Sequence, residues 1–305
     1  MAQAVMTGYV AFGYSSATTS ANATTSGMGV DDAEINFAIA EDIEGVGKLS
    51  ATMGFISGGR DNAAQGRDTT IKLTTASGIA VTMGNTKGAS YLTGGLAAVG
   101  TNYNDDLSNK LFSARTVNDA ISVKIPVMEG LSVSVAHSEA ASSTDGYAGT
   151  GAAGNGTEQR YNTASLDYAA GALAVNAGYR AYDNTVNSSD ASSNTRNRAS
   201  ASYDLGIAKI GLGYESTQYM FGNSKTDSLL GVSVPMGALS LGVQAAQSST
   251  SGNTSSASNY NRNGYLLGAN YNLSKQTYVA AHYYSYDKGG SVNPNGYQVV
   301  IYKGF

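Results

Sequence analysis

Two histidines, His137 and His282, stand far apart in a chain without cysteine. They complete no Ser-His-Asp set and no metal-ligand spacing. Gly149-Thr150-Gly151-Ala152-Ala153-Gly154 fits G-x-G-x-x-G, yet that loop cradles a pyrophosphate only between a buried strand and a helix. Neither flanks it, so it reads as a flexible surface loop. An enzyme and a cofactor are therefore not expected. The remaining groups that can act are charges. Lys72, Lys124, Arg180, Lys209, Glu215 and Asp227 each stand inside an alternating segment, where they could lay fixed charge along a wet surface if the backbone turned them all the same way.

Strands do this, because successive side chains point to opposite faces. In 207–217 the apolar phase is Ala208, Ile210, Leu212 and Tyr214, against Lys209, Gly211, Gly213 and Glu215. Leu173, Val175, Ala177 and Tyr179 oppose Asn176, Gly178 and Arg180, and Ile121, Val123 and Ile125 oppose Ser122 and Lys124. Ile71 and Leu73 oppose Lys72, Leu230, Val232 and Val234 oppose Asp227 and Ser233, and Leu239 to Ala245 alternates with Ser240, Gly242 and Gln244. Mid-strand charges keep to the polar phase, while Arg160, His137 and Lys303 fall at strand ends. A charge at the lipid midplane costs about 2–4 kcal/mol and about 0–1 near the interfaces, so this parity suits a membrane-spanning sheet. A half-solvated soluble sheet would alternate as well, but small Gly and Ser residues mixed with charges suit a crowded, wet interior.

The last ten residues carry the same pattern. Tyr297, Val299, Ile301 and Phe305 share one phase, and Gln298 and Tyr302 the other. A strand ending on an apolar residue leaves an open edge unless another strand pairs with it, and the first strand of the same chain would close a barrel.

Composition agrees. Of 305 residues, 13% are charged and 42% hydrophobic, with mean hydropathy −0.18. A helical membrane protein would need apolar runs of about 18 residues or more, which this chain lacks. Tyr numbers 21, and the many Val and Ile residues are strand formers, which argues against disorder. Gly at 38 and Pro at 3 imply tight turns in a pairable chain. The lack of Cys fits export through an oxidising compartment, and Ala2-Gln3 reads as a mature start. A net charge of −4 argues against nucleic acid.

Sixteen strands are expected, starting near Ala4, Asp31, Lys48, Asp68, Ile79, Val117, Leu131, Arg160, Ala172, Thr195, Ile207, Lys225, Ala238, Tyr260, Lys275 and Asn295. Short connections fall at Glu41–Gly47, Ala76–Gly78, Met128–Gly130, Ala169–Gly171, Asp204–Gly206, Pro235–Gly237 and Asn272–Ser274. Long polar ones fall at Ser15–Gly29, Ala140–Gln159, Asp183–Asn194 and Ser249–Asn259. Short turns on one rim and long loops on the other is the asymmetry of an outer-membrane barrel. Tyr168, Tyr203 and Tyr271 lie before short turns, and Tyr14, Tyr179, Tyr214 and Tyr283 towards the other rim, as interfacial belts would.

With these residues in view, the chain resembles a general diffusion porin of Gram-negative bacteria, of the beta-proteobacterial type. Glu41-Asp42-Ile43 with Gly45, Gly47 and Lys48-Leu49 resembles the family's first turn, and Asn270 to Thr277 its penultimate hairpin. Ala2-Gln3 and the terminal Phe305, an insertion signal for the barrel-insertion machinery, match its ends. The resemblance implies a single domain over 1–305, an all-β, 16-stranded antiparallel transmembrane β-barrel with short periplasmic turns and long extracellular loops. It implies a homotrimer held through strands near both termini, in outer-membrane lipid and lipopolysaccharide, passing small hydrophilic solutes and ions.

It also implies that the third long loop, about 87–116, folds into the lumen. Asp105 and Asp106 either line the resulting constriction or cap a turn; Tyr103 and Arg115 are close by. Glu34, Lys48, Lys72 and Lys124 would face them, with Arg180, Arg198 and Arg262 further round the wall. A field between loop acids and wall bases would orient polar solutes and exclude apolar ones. The sequence departs from the family at Glu34 and at Met83-Gly84-Asn85, where relatives carry arginine. A weakly cation-selective pore is expected. Two alternatives remain open, a substrate-specific channel using lumen tyrosines such as Tyr182, Tyr278 and Tyr284, and a structural or adhesive barrel.

Overall fold

The computed structural model describes residues 4–57, 65–87, 107, 111–112, 117–140, 160–183, 193–220, 222–252, 259–288 and 292–305. Its strands are β1 Val5–Thr18, β2 Thr24–Ile43, β3 Gly47–Ile56, β4 Gln65–Thr75, β5 Ala80–Lys87, β6 Val117–Met128, β7 Leu131–Ala140 and β8 Tyr161–Ala170. The second half contains β9 Leu173–Tyr182, β10 Ser193–Asp204, β11 Lys209–Tyr219, β12 Ser224–Met236, β13 Leu239–Ser251, β14 Tyr260–Ser274, β15 Thr277–Tyr286 and β16 Asn295–Gly304. Each pairs antiparallel with its sequence neighbours, and β1 pairs β16, so the sheet is a closed barrel. The expected strand number and closure both hold.

Closure runs to the last residue. Gly8 N–H donates to Phe305 O at 3.1 Å, and Phe305 N–H donates to Gly8 O at 2.9 Å. No edge is left to template aggregation there.

The outside is apolar and the inside polar, strand by strand. Phe12, Leu212, Val135, Tyr265, Val299 and Ile301 are all exposed on the outward phase. Glu215, Asp227, Gln244, Ser248, His282 and Gln298 are buried on the inward one. An inverted distribution of this kind costs nothing when the outer solvent is hydrocarbon.

Element boundaries differ from expectation in three places. The expected loop at 15–29 is mostly strand: β1 reaches Thr18 and β2 starts at Thr24, with Thr19 N–H bonded to Ala23 O at 2.9 Å. Thr and Ser favour strands when they pair across them, as Thr18 and Thr24 do at 2.9 Å. The expected turn at 272–274 lies instead after Ser274, and that at 235–237 after Met236, because Pro235 still pairs with Ser240. Gly47 sits at φ 142°, and a Cβ there would meet Thr74 O at 2.2 Å, so only glycine allows β3 to start beside β4.

A β-bulge at Ala11/Phe12 opposite Asp31 decides the face of one charge. Below it, odd-numbered residues such as Ile35 and Phe37 point outward, a phase that would send Asp31 into lipid. The inserted residue switches the phase. Asp31 instead accepts a bond from Gln298 Nε2, and Val30 and Met28 take the outward positions.

Candidate functional site

Every inward side chain borders the one lumen, so its walls constitute the candidate site. On β1, β2, β15 and β16 the wall is aromatic and acidic. The Tyr9 hydroxyl lies 2.8 Å from Asp32 Oδ2 and 3.3 Å from Glu34 Oε2, and Asn36 Nδ2 donates to Glu34 Oε1 at 2.7 Å. The carboxylates thus count a phenol and an amide among their donors. The Tyr9 ring stacks on Tyr302 at 4.9 Å, and Tyr302 on Tyr278 at 4.5 Å. This three-ring stack crosses the seam between β1 and β16.

β10 stands eight places from β2 in the ring of sixteen, directly across the lumen. Here the wall is basic. Glu215 is 1% exposed and receives both Arg198, whose Nε donates to Oε2 at 2.7 Å, and Arg196, whose Nε lies 3.4 Å from Oε1. Arg180 is the cross-strand partner of Arg196. Two like charges in direct register repel; Arg180 answers by stacking its guanidinium 3.8 Å from the Tyr161 ring centroid and donating to the Tyr182 hydroxyl at 3.3 Å. Beside them Lys225 and Asp227 pair at 3.1 Å, both buried, and Arg262 lies 4.0 Å from the Tyr260 centroid.

Among the wall residues expected from sequence, Glu34 belongs to the acidic face and Arg180 and Arg198 to the basic one. Lys72 faces inward between Ser50 and Thr82. Lys124 pairs with Asp167 at 3.2 Å, and Asn176 holds the other oxygen of Asp167 at 2.6 Å. Lys48 stands at the short-turn rim, opposite Asp42 and Thr74, away from the two charged walls. Asp105, Asp106, Tyr103 and Arg115 lie outside the described residues. Asp32, Arg196, Lys225 and the Tyr9–Tyr302 stack were missed. Their signal was present as like residues two apart, Asp32 with Glu34 and Arg196 with Arg198, but pairing partners are needed to make such pairs a wall.

The connection from β5 to β6 contributes Leu107, Leu111 and Phe112, all buried. They pack with Leu229, Ala246, Leu266 and Tyr284 on β12–β15, and Leu107 N–H donates to Gln244 Oε1 at 3.3 Å. These wall residues are inward, since Leu230, Leu267 and Tyr283 beside them are exposed on the outside. β13 is eight places from β5. Residues of this connection therefore touch the wall diametrically opposite the strands that bear them.

A family model described as Gram-negative porin matches residues 1–291. No curated protein matches the sequence. The chain is similar in structure to an anion-selective porin from Comamonas acidovorans, with TM-score 0.75, 17% identity and 100% of each chain covered. It is similar to a loop L8 deletion mutant of OmpT from Vibrio cholerae, with TM-score 0.72, 11% identity, and 100% of this chain and 99% of that one covered. A mutant porin of Rh. blastica superposes at TM-score 0.67 and 14% identity, over 99% of this chain and 100% of the other.

Proposed function

Because this chain belongs to the Gram-negative porin family, an outer-membrane diffusion channel, we propose that its connection 87–116 narrows the pore to a constriction. The observation that carries this reading is the seating of Leu107, Leu111 and Phe112 on the far wall, β12–β15. On this reading the connection starts on β5, touches the opposite wall and crosses the lumen on its way to β6. Asp105 and Asp106 are assigned to its charged edge, with Tyr103 and Arg115. Glu34, Lys72 and Lys124 on the wall complete the opening, and Arg180, Arg198 and Arg262 line its basic side.

Between the acidic wall of β2 and the basic wall of β10 a solute meets a transverse field, which favours hydrated, dipolar molecules over apolar ones. Phe305 serves as the insertion signal, and three copies associate through the strands near both termini. The Comamonas relative is anion-selective. For this chain we propose a weak lean to cations, supported by the inward Glu34 and Asp32 and by Asn85 on β5. Planar-bilayer recording in a salt gradient tests both points. Ohmic conductance with a reversal potential slightly favouring potassium is expected. A clear chloride preference would sink the selectivity, and a silent bilayer would sink the channel.

A solute-specific channel is the second reading, favoured by the Tyr9–Tyr302–Tyr278 stack. It predicts saturable block of the ion current by one sugar or aromatic solute, where the diffusion pore predicts none.

A further inference from the structure

At the long-loop ends of β8–β10 the inward wall alternates flat rings with flat cations. β8 begins at Tyr161 and β9 ends at Tyr182, and the two stand opposite each other across the strand pair. Their ring centroids are 5.3 Å apart, with planes inclined at 57°. Two residues deeper, Thr163 faces Arg180, and Arg180 faces Arg196. The Arg180 guanidinium lies 3.8 Å from the Tyr161 centroid and 5.8 Å from that of Tyr182, and Arg196 lies 5.7 Å from Tyr182. Tyr161 is buried, while Tyr182 and Arg180 keep part of their surface. Glu215 gives one oxygen to Arg198 and the other to Arg196. Arg180 meets no carboxylate among the described residues. Its hydrogen bond goes to a neutral group, the Tyr182 hydroxyl at 3.3 Å. The ring beneath it takes only the face of the guanidinium, so its charge and its remaining in-plane N–H groups stay available.

We propose that Arg180, Tyr161 and Tyr182 form a subsite for small aromatic carboxylates at the long-loop end of the lumen. The assignment rests on the channel reading above and names a solute class for it. Tyr161 holds the guanidinium plane, so the N–H fork is oriented before a solute arrives. A carboxylate is planar and accepts two parallel N–H bonds from such a fork. A ring conjugated with that carboxylate lies in the same plane and meets the partly exposed Tyr182, where ring pairs contribute beyond the area they bury. An aliphatic acid keeps the first contact and loses the second. A neutral aromatic solute loses the first. With only two contacts the solute is held weakly enough to leave again, as a channel subsite requires.

Fluorine NMR titration of the detergent-solubilised barrel with fluorobenzoate reads binding independently of conduction. Saturable binding is expected, about tenfold tighter than that of fluorobenzyl alcohol. Cyclohexanecarboxylate should compete about fivefold less well than benzoate. Arg180→Gln should weaken fluorobenzoate binding about tenfold, and Arg180→Lys, which keeps the charge without the planar fork, nearly as much. Tyr182→Leu should bring benzoate and cyclohexanecarboxylate to equal affinity. Equal competition by cyclohexanecarboxylate or by inorganic phosphate on the wild-type protein would overturn the proposal without recourse to any variant. So would wild-type affinity in Arg180→Gln or Arg180→Lys, or a barrel that conducts and binds no fluorobenzoate. A barrel that binds fluorobenzoate as expected but does not conduct would instead overturn the channel reading alone.

Discussion

The two walls that face each other across the lumen solve one problem in opposite ways. On β2 the carboxylates of Asp32 and Glu34 accept hydrogen bonds from a phenol and an amide. On β10 and β11 the Glu215 carboxylate is instead set between two cations, Arg196 and Arg198. A neutral donor orients a charge, whereas an opposite charge cancels its field.

Four experiments would break or sharpen this contrast, the largest effect first. Glu215→Gln strips the counter-charge from two partly buried arginines, and removing one partner of a buried pair costs about 3–5 kcal/mol. Urea midpoints in lipid vesicles should fall accordingly; a change under about 1 kcal/mol would show that the basic wall does not depend on Glu215. Replacing both Leu107 and Phe112 by Ala removes the apolar hold on the far wall, at about 2–5 kcal/mol per deleted side chain when fully buried. Single-channel conductance should rise as the connection detaches, and unchanged conductance would mean that it is held elsewhere.

Smaller effects come from the charges themselves. Glu34→Gln should shift the reversal potential towards chloride and Arg180→Gln towards potassium. Equal shifts in one direction would deny the walls separate roles. Smallest is Tyr9→Phe, which keeps the ring stack and removes one hydrogen bond, worth about 1 kcal/mol. Its stability should barely change, while ion selectivity should move as Asp32 and Glu34 lose the phenol donor they share; the reversal potential and the urea midpoint separate the two.

Much of the barrel was legible because its rule is local. Leu212 and Glu215, or Ile125 and Lys124, show their faces by position within a strand, since lipid tolerates no mid-depth charge. Gly130 and Gly171 mark short turns by their positive φ. The loop at 15–29 was misread because Ser and Thr serve equally as loop and as strand when a partner hydroxyl is opposite. Leu229 and Leu266 sit on the polar phase against the alternation; they are part of the floor against which Leu107 and Phe112 pack.

The sequence alone determined the alternation, the unequal rims and an apolar C-terminal strand that needs a partner, because each depends on neighbours a few residues apart. The tertiary structure decided what faces what. Only ring closure sets β2 across from β10 and β5 across from β13, and only the bulge turns Asp31 inward. The facing walls join residues more than a hundred positions apart, where a period of two carries no information, and the bulge breaks that period itself.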